Sequence, residues 1–403
     1  GSNTVTKVVV LKHTHTECKM ISPRDVWWSD SIDCIDCTIK EQSMCVEMNA
    51  EDPLFFLYTS GSTGKPKAMV HTTAGYLAYA AHSFQTVFAV NPETDCFFTT
   101  SDIGWVSCHS YGLYGPLVSG VTVVWLESKC YYPWPGRPWD IVNRHKVTHL
   151  YTSPTILRSL KALGDEHVKE CASLRVLGSA GEPLDQSTWQ WYYHVVGKDK
   201  CVVVDTYWQT ETGGVLIGSI PGASIVLPGH AGLPFMGIKP NIIPFNADSN
   251  SDNHGVGALV FAKPWPGLAR TIYNDHDRYK QSYLVQYAGS YYAGDGASCT
   301  TSASASTTSS TQTKSYRIHG RIDDVINVGP VRFATAEIEG TLALHPACVE
   351  AAVLGHPDPV TGECVVAFCI VRESCGDPIT ITKELQDLIR TSICDLATPK
   401  HIY

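Results

Sequence analysis

Short apolar runs recur along the chain, and each ends in small or polar residues. DPLFFLYTS (52–60) leads into GSTGKPK, and VTHLYTS (147–153) stops at Pro154. LRVLGSAGEP (174–183) and CVVVDTYWQTETGG (201–214) follow the same plan. Between them lie stretches with helical spacing of apolar positions: AGYLAYAAHSF (74–84), PTILRSLKAL (154–163) and DQSTWQWYYHVV (185–196). Such runs and stretches in alternation predict strands and helices in α/β order. In sheets of that kind ligands gather beyond the carboxyl ends of the strands. Here those ends carry Ser, Thr, Gly, Glu and Gln.

The pattern changes further on. LPGHAGLPFMGIKPNIIPF (227–245) and HGVGALVFA (254–262) are rich in Gly and Pro with short β-like runs, which predicts a small antiparallel subdomain. The tract 297–315, ASCTTSASASTTSSTQTKS, has too little apolar surface to order itself and is expected to be a flexible surface loop. ATAEIEGTLALH (334–345) reads as a helix stopped by Pro346. The strand-like VEAAVLGH and CVVAFCIV and the helical TKELQDLIRTSIC follow. We expect a large domain over 1–322 and a small C-terminal α/β domain over 323–403.

Composition narrows the class. At 403 residues the chain suits two or three domains with a sizeable core. A net charge of -9 argues against a general nucleic-acid binder, and no nucleic-acid partner is expected. No apolar run reaches the roughly 18 residues of a membrane helix. The first residues lack the long apolar stretch of a secretion signal. The 15 cysteines are scattered. Cys34 and Cys37 form a CxxC near Cys18 and Cys45, which leaves a zinc knuckle open. The plainer reading is reduced thiols in a cytoplasmic protein.

Tyr58 to Lys67 reads YTSGSTGKPK. Gly61 and Gly64 allow a sharp turn that leaves backbone N–H groups facing an anion. Thr59, Ser60, Ser62 and Thr63 add hydroxyls, and Lys65 and Lys67 add positive charge. The loop departs from a Walker motif, because Pro66 stands where the magnesium-holding Ser/Thr would be. Alone, a Gly/Ser/Thr loop is more often a plain turn.

The longer string resembles the phosphate loop of the adenylate-forming superfamily: acyl-CoA synthetases, luciferases and peptide-synthetase adenylation domains. YWQTETGG (207–214), YYAGD (291–295) and GRIDDVIN (320–327) are similar to that superfamily's later signatures, in the same order. VWWSD (26–30), GWVSCHSYGLYGPL (104–117) and ATAEIE (334–339) are similar to its acetyl-CoA synthetase branch. The similarity runs from about Val26 to Pro399.

The resemblance implies a multi-layered α/β fold with a mobile C-terminal domain. It also implies a two-step reaction: ATP and acetate form acetyl-adenylate and pyrophosphate, then CoA displaces AMP. A carboxylate attacking phosphorus meets concentrated negative charge, so catalysis is mainly neutralisation and alignment. Thr210 and the phosphate loop would hold phosphate oxygens, and Glu211 would ligate Mg²⁺ unless it is a solvated loop glutamate. Gly181, Glu182, Pro183, Asp205 and Thr206 would line the adenine, with Tyr207, Trp208 and Gln209 beside them. Asp295 would accept from both ribose hydroxyls, with Arg321 nearby; the alternative is a turn aspartate. Arg332 would pair with the α-phosphate, or is a surface ion pair. Val106, Ser107, Ala180 and Trp208 would form the acyl pocket, closed by the tryptophan; the plainer reading of Trp208 is a core residue. Ser107 and Ala180 are smaller than the Thr and Val usual in the family.

Gly329, Pro330 and Arg390 fall where the family contacts CoA, and Asp323 at its hinge. Pro330 replaces a glycine of that family and offers no N–H. The stretch preceding VWWSD is shorter than in the family, and the sequence stops just before the segment with the family's catalytic lysine. Alternatives from these residues are a propionyl-CoA or other short-acyl synthetase, and a non-catalytic nucleotide-binding homologue. The expected partners are small molecules (acetate, ATP and CoA), with an oligomer possible.

Overall fold

A computed structural model describes residues 4–33, 45–59, 65–224, 226–245, 256–303, 312–329, 331–372 and 376–403, with backbone alone at 302, 303, 312, 313, 327 and 332. The chain divides into two compact units, Gly1–Met48 and Asn49–Tyr403. In the first, strand β1 (Val8–Val10) pairs in parallel with β2 (Asp25–Trp27), followed by helix α1 (Trp28–Asp33). The Lys12 ammonium lies 4.6 Å from the centroid of the Trp27 ring, a cation–π contact.

The second unit opens with the hairpin β3 (Pro53–Thr59) and β4 (Lys67–Thr72), then the long helix α2 (Thr73–Phe88). Strand and helix then alternate. β5 (Cys96–Thr99) is followed by the short helices α3 (Val106–Cys108) and α4 (Gly115–Val118) and by β6 (Thr122–Val124). Next come α5 (Arg137–His145), β7 (His149–Thr152), α6 (Pro154–Leu163), β8 (Val176–Ser179), α7 (Gln186–Trp191) and β9 (Val202–Tyr207). β5 to β9 are mutually parallel. Antiparallel β10 (Ile217–Gly218) and β11 (Leu233–Pro234) extend their sheet beyond β9.

Both faces of this sheet are covered, so its strands are almost continuously apolar. Neighbouring residues serve different cores. Phe97, Tyr151, Val176 and Val204 pack with Phe84 and Phe88 of α2. Phe98, Leu150, Leu177 and Val203 pack with Trp139, Leu157 and Trp189 of α5, α6 and α7. The alternation follows from side chains pointing to opposite faces of a strand. α6 begins where expected: Pro154 takes the first helical position, and Ser153 Oγ accepts the Ile156 N–H.

The Gly/Pro-rich stretch forms β12 (Pro240–Pro244) and β13 (Gly257–Phe261), which pair antiparallel. β14 (Thr271–Ile272) joins β4, and helix α8 (His276–Tyr283) follows. The Ser/Thr tract departs from expectation over the part described. β15 (Tyr291–Ala303) and β16 (Gln312–Arg321) are paired antiparallel from Asp295 opposite Arg321 to Ala303 opposite Gln312, and β15 also pairs with β13. Ala297, Ser298 and Ser315 are buried. Main-chain ladders, Thr's fit to a pleated surface and the apolar neighbours Ala297 and Tyr316 hold these two strands together, which side-chain hydrophobicity alone did not predict; residues 304–311 lie outside the described residues.

After β16 the chain builds a core of its own. β17 (Val325–Val328), β18 (Val331–Ala334), β19 (Cys348–Asp358), β20 (Gly362–Val371) and β21 (His401–Ile402) form one sheet. Helices α9 (Thr335–Leu342) and α10 (Pro378–Ser392) pack on it through Ile338, Leu342, Ile381, Leu385 and Ile389. α9 also meets β16, and β19 meets α6. No helix among the described residues is long and apolar enough to cross a membrane.

Candidate active site

A cleft of about 530 Å³ opens beyond the carboxyl ends of β8 and β9, bounded by β15, β16 and α9. That position follows from the parallel strands, whose last residues end together and leave their polar loops side by side. Ala180, Gly181, Glu182 and Pro183 come from the loop after β8. Asp205, Thr206, Tyr207, Trp208, Gln209, Thr210 and Glu211 come from the end of β9 and the turn that follows. Asp295 and Arg321 enter from β15 and β16, where they face each other across the ladder. Thr59 and Lys67 enter from β3 and β4.

Asp295 is 6% exposed. One of its oxygens accepts from Tyr207 Oη at 2.6 Å and Gln209 Nε2 at 2.7 Å. Burial raises its pKa to about 6, against the opposing pull of Tyr207 and Arg321. Asp205, buried to a similar degree, is pushed up to about 8 by burial, with only the Thr206 N–H counteracting. Arg321 grips Asp323 with two bonds, Nε to Oδ1 at 2.7 Å and Nη2 to Oδ2 at 2.9 Å.

Thr210 and Glu211 sit in a single helical turn, Thr210–Thr212, capped by Gln209. Buried His71 bonds the Thr210 carbonyl through Nε2 at 2.8 Å. Burial lowers its pKa to about 4, so the ring is neutral. Tyr283 of α8 donates to Glu211 Oε1 at 2.5 Å and accepts from Lys67 Nζ at 2.5 Å. Lys67 Nζ also lies 3.7 Å from Glu211. Burial lowers the Lys67 pKa, and Glu211 resists that shift. Among the described residues, no group of three or more His, Cys, Asp or Glu side chains is arranged to hold a metal. Glu211 is the carboxylate of this turn that could hold a divalent cation.

The cleft is also lined by residues of the expected acyl pocket. Val106 and Ser107 at the start of α3, Ala180 and Trp208 line it, together with Trp105. Ser107 Oγ is tied to Ser101 Oγ at 2.5 Å.

The remaining expected residues are placed as follows. Glu182 reaches the cleft, but its carboxylate accepts from Thr155 N and Arg158 Nη2, each at 2.7 Å, at the start of α6. Lys65 is exposed beside the hairpin and is not part of the lining. Arg390, on α10, pairs with Asp387 and with Asp395 at 3.0 Å and is also outside the lining. Gly329 occupies the β17–β18 turn at φ +59°, a conformation that favours glycine. Arg332 stands in β18 opposite Asn327. Its side chain, Ser60, Gly61, Ser62, Thr63, Gly64 and Pro330 lie outside the described residues, as do Cys34 and Cys37.

Residues 3–273 match the family model described as AMP-binding enzyme, and 337–403 match the AMP-binding enzyme C-terminal domain. The chain belongs to the AMP-binding enzyme family. Among curated members, acetyl-coenzyme A synthetase of Bdellovibrio bacteriovorus is 44% identical over 397 residues, 98% of this chain and 59% of the relative. The protein of that name from Xylella fastidiosa is 43% identical over 406 residues, 100% of this chain and 60% of the relative. This chain thus spans about 60% of the length of the curated AMP-binding relatives it matches. The crystal structure of the anthranilate CoA ligase AuaEII in complex with anthranoyl-AMP superposes with a TM-score of 0.73 at 22% identity, covering 89% of this chain and 64% of that one. The two share the adenylate-forming fold.

Within this AMP-binding chain, sequence reasoning missed Tyr283, His71 and Tyr151, which buttress the cleft rather than belong to its motifs. Tyr283 lies in a polar helix with no signature. His71 follows the phosphate-loop string by a few positions, the one signal that could have drawn attention to it.

Proposed function

We propose that this chain forms the nucleotide- and acyl-binding body of an AMP-forming acetate–CoA ligase. The observation that carries the reading is that one cleft is lined by the buried Asp295, by Thr210 and Glu211 of one turn, and by Val106, Ala180 and Trp208. The curated relatives named acetyl-coenzyme A synthetase support the choice of acid. The small side chains of Ser107 and Ala180 favour propionate as a second substrate.

Asp295 accepts from the ribose hydroxyls, with Arg321 beside the sugar. The adenine lies along Gly181–Pro183, Asp205 and Thr206. Tyr207 and Gln209 keep the Asp295 carboxylate oriented. Lys67 and Thr210, joined by Arg332 and the loop 59–65, offset the phosphate charge while an acetate oxygen attacks the α-phosphorus. The bond from that phosphorus to the bridging oxygen breaks, and pyrophosphate leaves with both electrons. Mg²⁺, held at Glu211, would supply further neutralisation of the phosphate oxygens. The CoA thiolate then attacks the acyl carbon, and AMP departs with the acyl–oxygen electron pair. Gly329, Pro330 and Arg390 contribute to the CoA path, and Asp323 is the pivot of the C-terminal domain between the steps. Buried free thiols such as Cys96 and Cys201 fit a cytoplasmic setting.

The test is calorimetric titration of the 403-residue chain with AMP, GMP and the stable mimic 5′-O-(N-acetylsulfamoyl)adenosine. The acetyl mimic should bind at least about tenfold more tightly than AMP, since intermediate analogues capture contacts to both halves. GMP should bind most weakly. Equal binding of AMP and GMP, or no gain from the acetyl group, would overturn the reading.

A further inference from the structure

We propose that Tyr151 is a positioning residue for acid-length selection, holding Trp208 in the orientation that closes the acyl pocket; this rests on the acyl-pocket reading above. Tyr151 stands in β7, is 1% exposed and does not line the cleft. Trp208 follows β9, is half-buried and lines the cleft. The indole Nε1 lies 3.1 Å from Tyr151 Oη.

The direction of every hydrogen bond behind the indole is determined. Indole Nε1 can only donate, so the Tyr151 oxygen accepts there. Thr206 Oγ1 donates to the Ser179 carbonyl at 2.7 Å, which uses its single hydrogen. The 3.0 Å contact between Tyr151 Oη and Thr206 Oγ1 must therefore run from tyrosine to threonine. The chain Trp208, Tyr151, Thr206, Ser179 links the ends of β9, β7 and β8 without a free rotor.

The indole is also held from a second direction. The Tyr111 ring and the indole form a T-shaped contact, with centroids 4.9 Å apart and planes at 72°. Tyr111 is itself pinned, its Oη within 2.8 Å of Ser83 Oγ and accepting from Val215 N at 2.7 Å. A wall discriminates chain lengths only as far as displacing it is costly. With both contacts in place, a longer acyl chain must break the Nε1–Oη bond or strain the aromatic contact. Without the tyrosine oxygen, one restraint is gone and the indole can turn aside.

The experiment compares wild type, Tyr151→Phe, Trp208→Phe and the double variant in the 403-residue chain, titrated with acetyl- and butanoyl-sulfamoyl adenosine, after thermal melting to check folding. Two extra methylenes should make wild type prefer the acetyl mimic about 100-fold. Tyr151→Phe should cut that preference by about tenfold, the worth of a lost buried hydrogen bond. Trp208→Phe deletes the same bond from its other end and should also lower the preference, so it carries the test should Tyr151→Phe not fold. Adding Tyr151→Phe to Trp208→Phe should change the ratio by less than about twofold, because the coupled partner is already gone. A wild type that discriminates beside a Tyr151→Phe that discriminates equally well overturns this proposal and leaves the functional reading standing. An equal loss in the Trp208→Phe background also overturns it, since the effect would not run through the indole. A wild type without preference removes the acyl-pocket reading and this proposal together.

Discussion

Replacing Asp295 with Asn should make the empty protein more stable at neutral pH while weakening its grip on nucleotide. The carboxyl is almost fully enclosed, and burial moves its pKa from 3.8 to about 6. That gap is equivalent to about 3 kcal/mol. Below pH about 4 the acid is protonated in folded and unfolded chain alike, and its full contribution is present. As pH rises, the unfolded chain ionises first, so folded stability falls until pH passes about 6. Asn is neutral throughout and can still accept from Tyr207. Asp295→Asn should therefore equal wild type within about 1 kcal/mol at pH 4 and exceed it by up to about 3 kcal/mol at pH 8. Asp205 adds a loss of the same sign up to pH about 8, but it is common to both proteins. Bound AMP should feel the reverse: hydrogen bonds to a charged acceptor are worth about 1.5–3 kcal/mol each, so Kd should rise at least about tenfold at pH 8. Urea denaturation from pH 4 to 8 and calorimetry with AMP measure the two effects. A stability difference that does not change with pH would refute the burial argument, and an unchanged Kd would refute the ribose contact.

Other expected outcomes follow from separate parts of the molecule. Trp208→Gly should improve the butanoyl mimic at least about tenfold relative to the acetyl mimic in calorimetry, because the wall is removed. Leu177→Ala, at a fully buried site of the central sheet, should lower unfolding free energy by about 2–5 kcal/mol in urea. Arg175→Met should cost about 1–3 kcal/mol near neutral pH, because it leaves the buried Asp95 carboxylate short of its guanidinium partner. Burial alone would raise the Asp95 pKa, but Arg175 and the Asn91 N–H hold it below 3.8. Its contribution is thus present above pH about 4 and lost as pH falls, so the deficit of Arg175→Met should shrink in acid, as chemical denaturation at pH 3 and 7 can check.

The order of strands and helices from β7 to β9 was legible because short-range apolar spacing reports directly which faces are buried. The motifs at 207–214, 291–295 and 320–327 were legible because each is a contiguous string of distinctive residue types, and the structure gathers members of each around one cleft. The pairing of the described ends of the Ser/Thr tract, 297–303 and 312–315, was not legible. These ends are held by backbone pairing of β15 with β13 and β16, which any side chain permits and composition does not announce. The supports of the cleft were hidden for a related reason. Tyr283 reaches Glu211 across 72 positions, Trp208 reaches Tyr151 across 57, and Tyr207 reaches Asp295 across 88. Glu182, a motif residue, turns its carboxylate to Arg158 instead of leaving it open in the cleft. A sequence determines which residues can donate, accept or be buried. Which partner each one meets depends on how separate elements close over the ends of the sheet, and only the tertiary structure decides that.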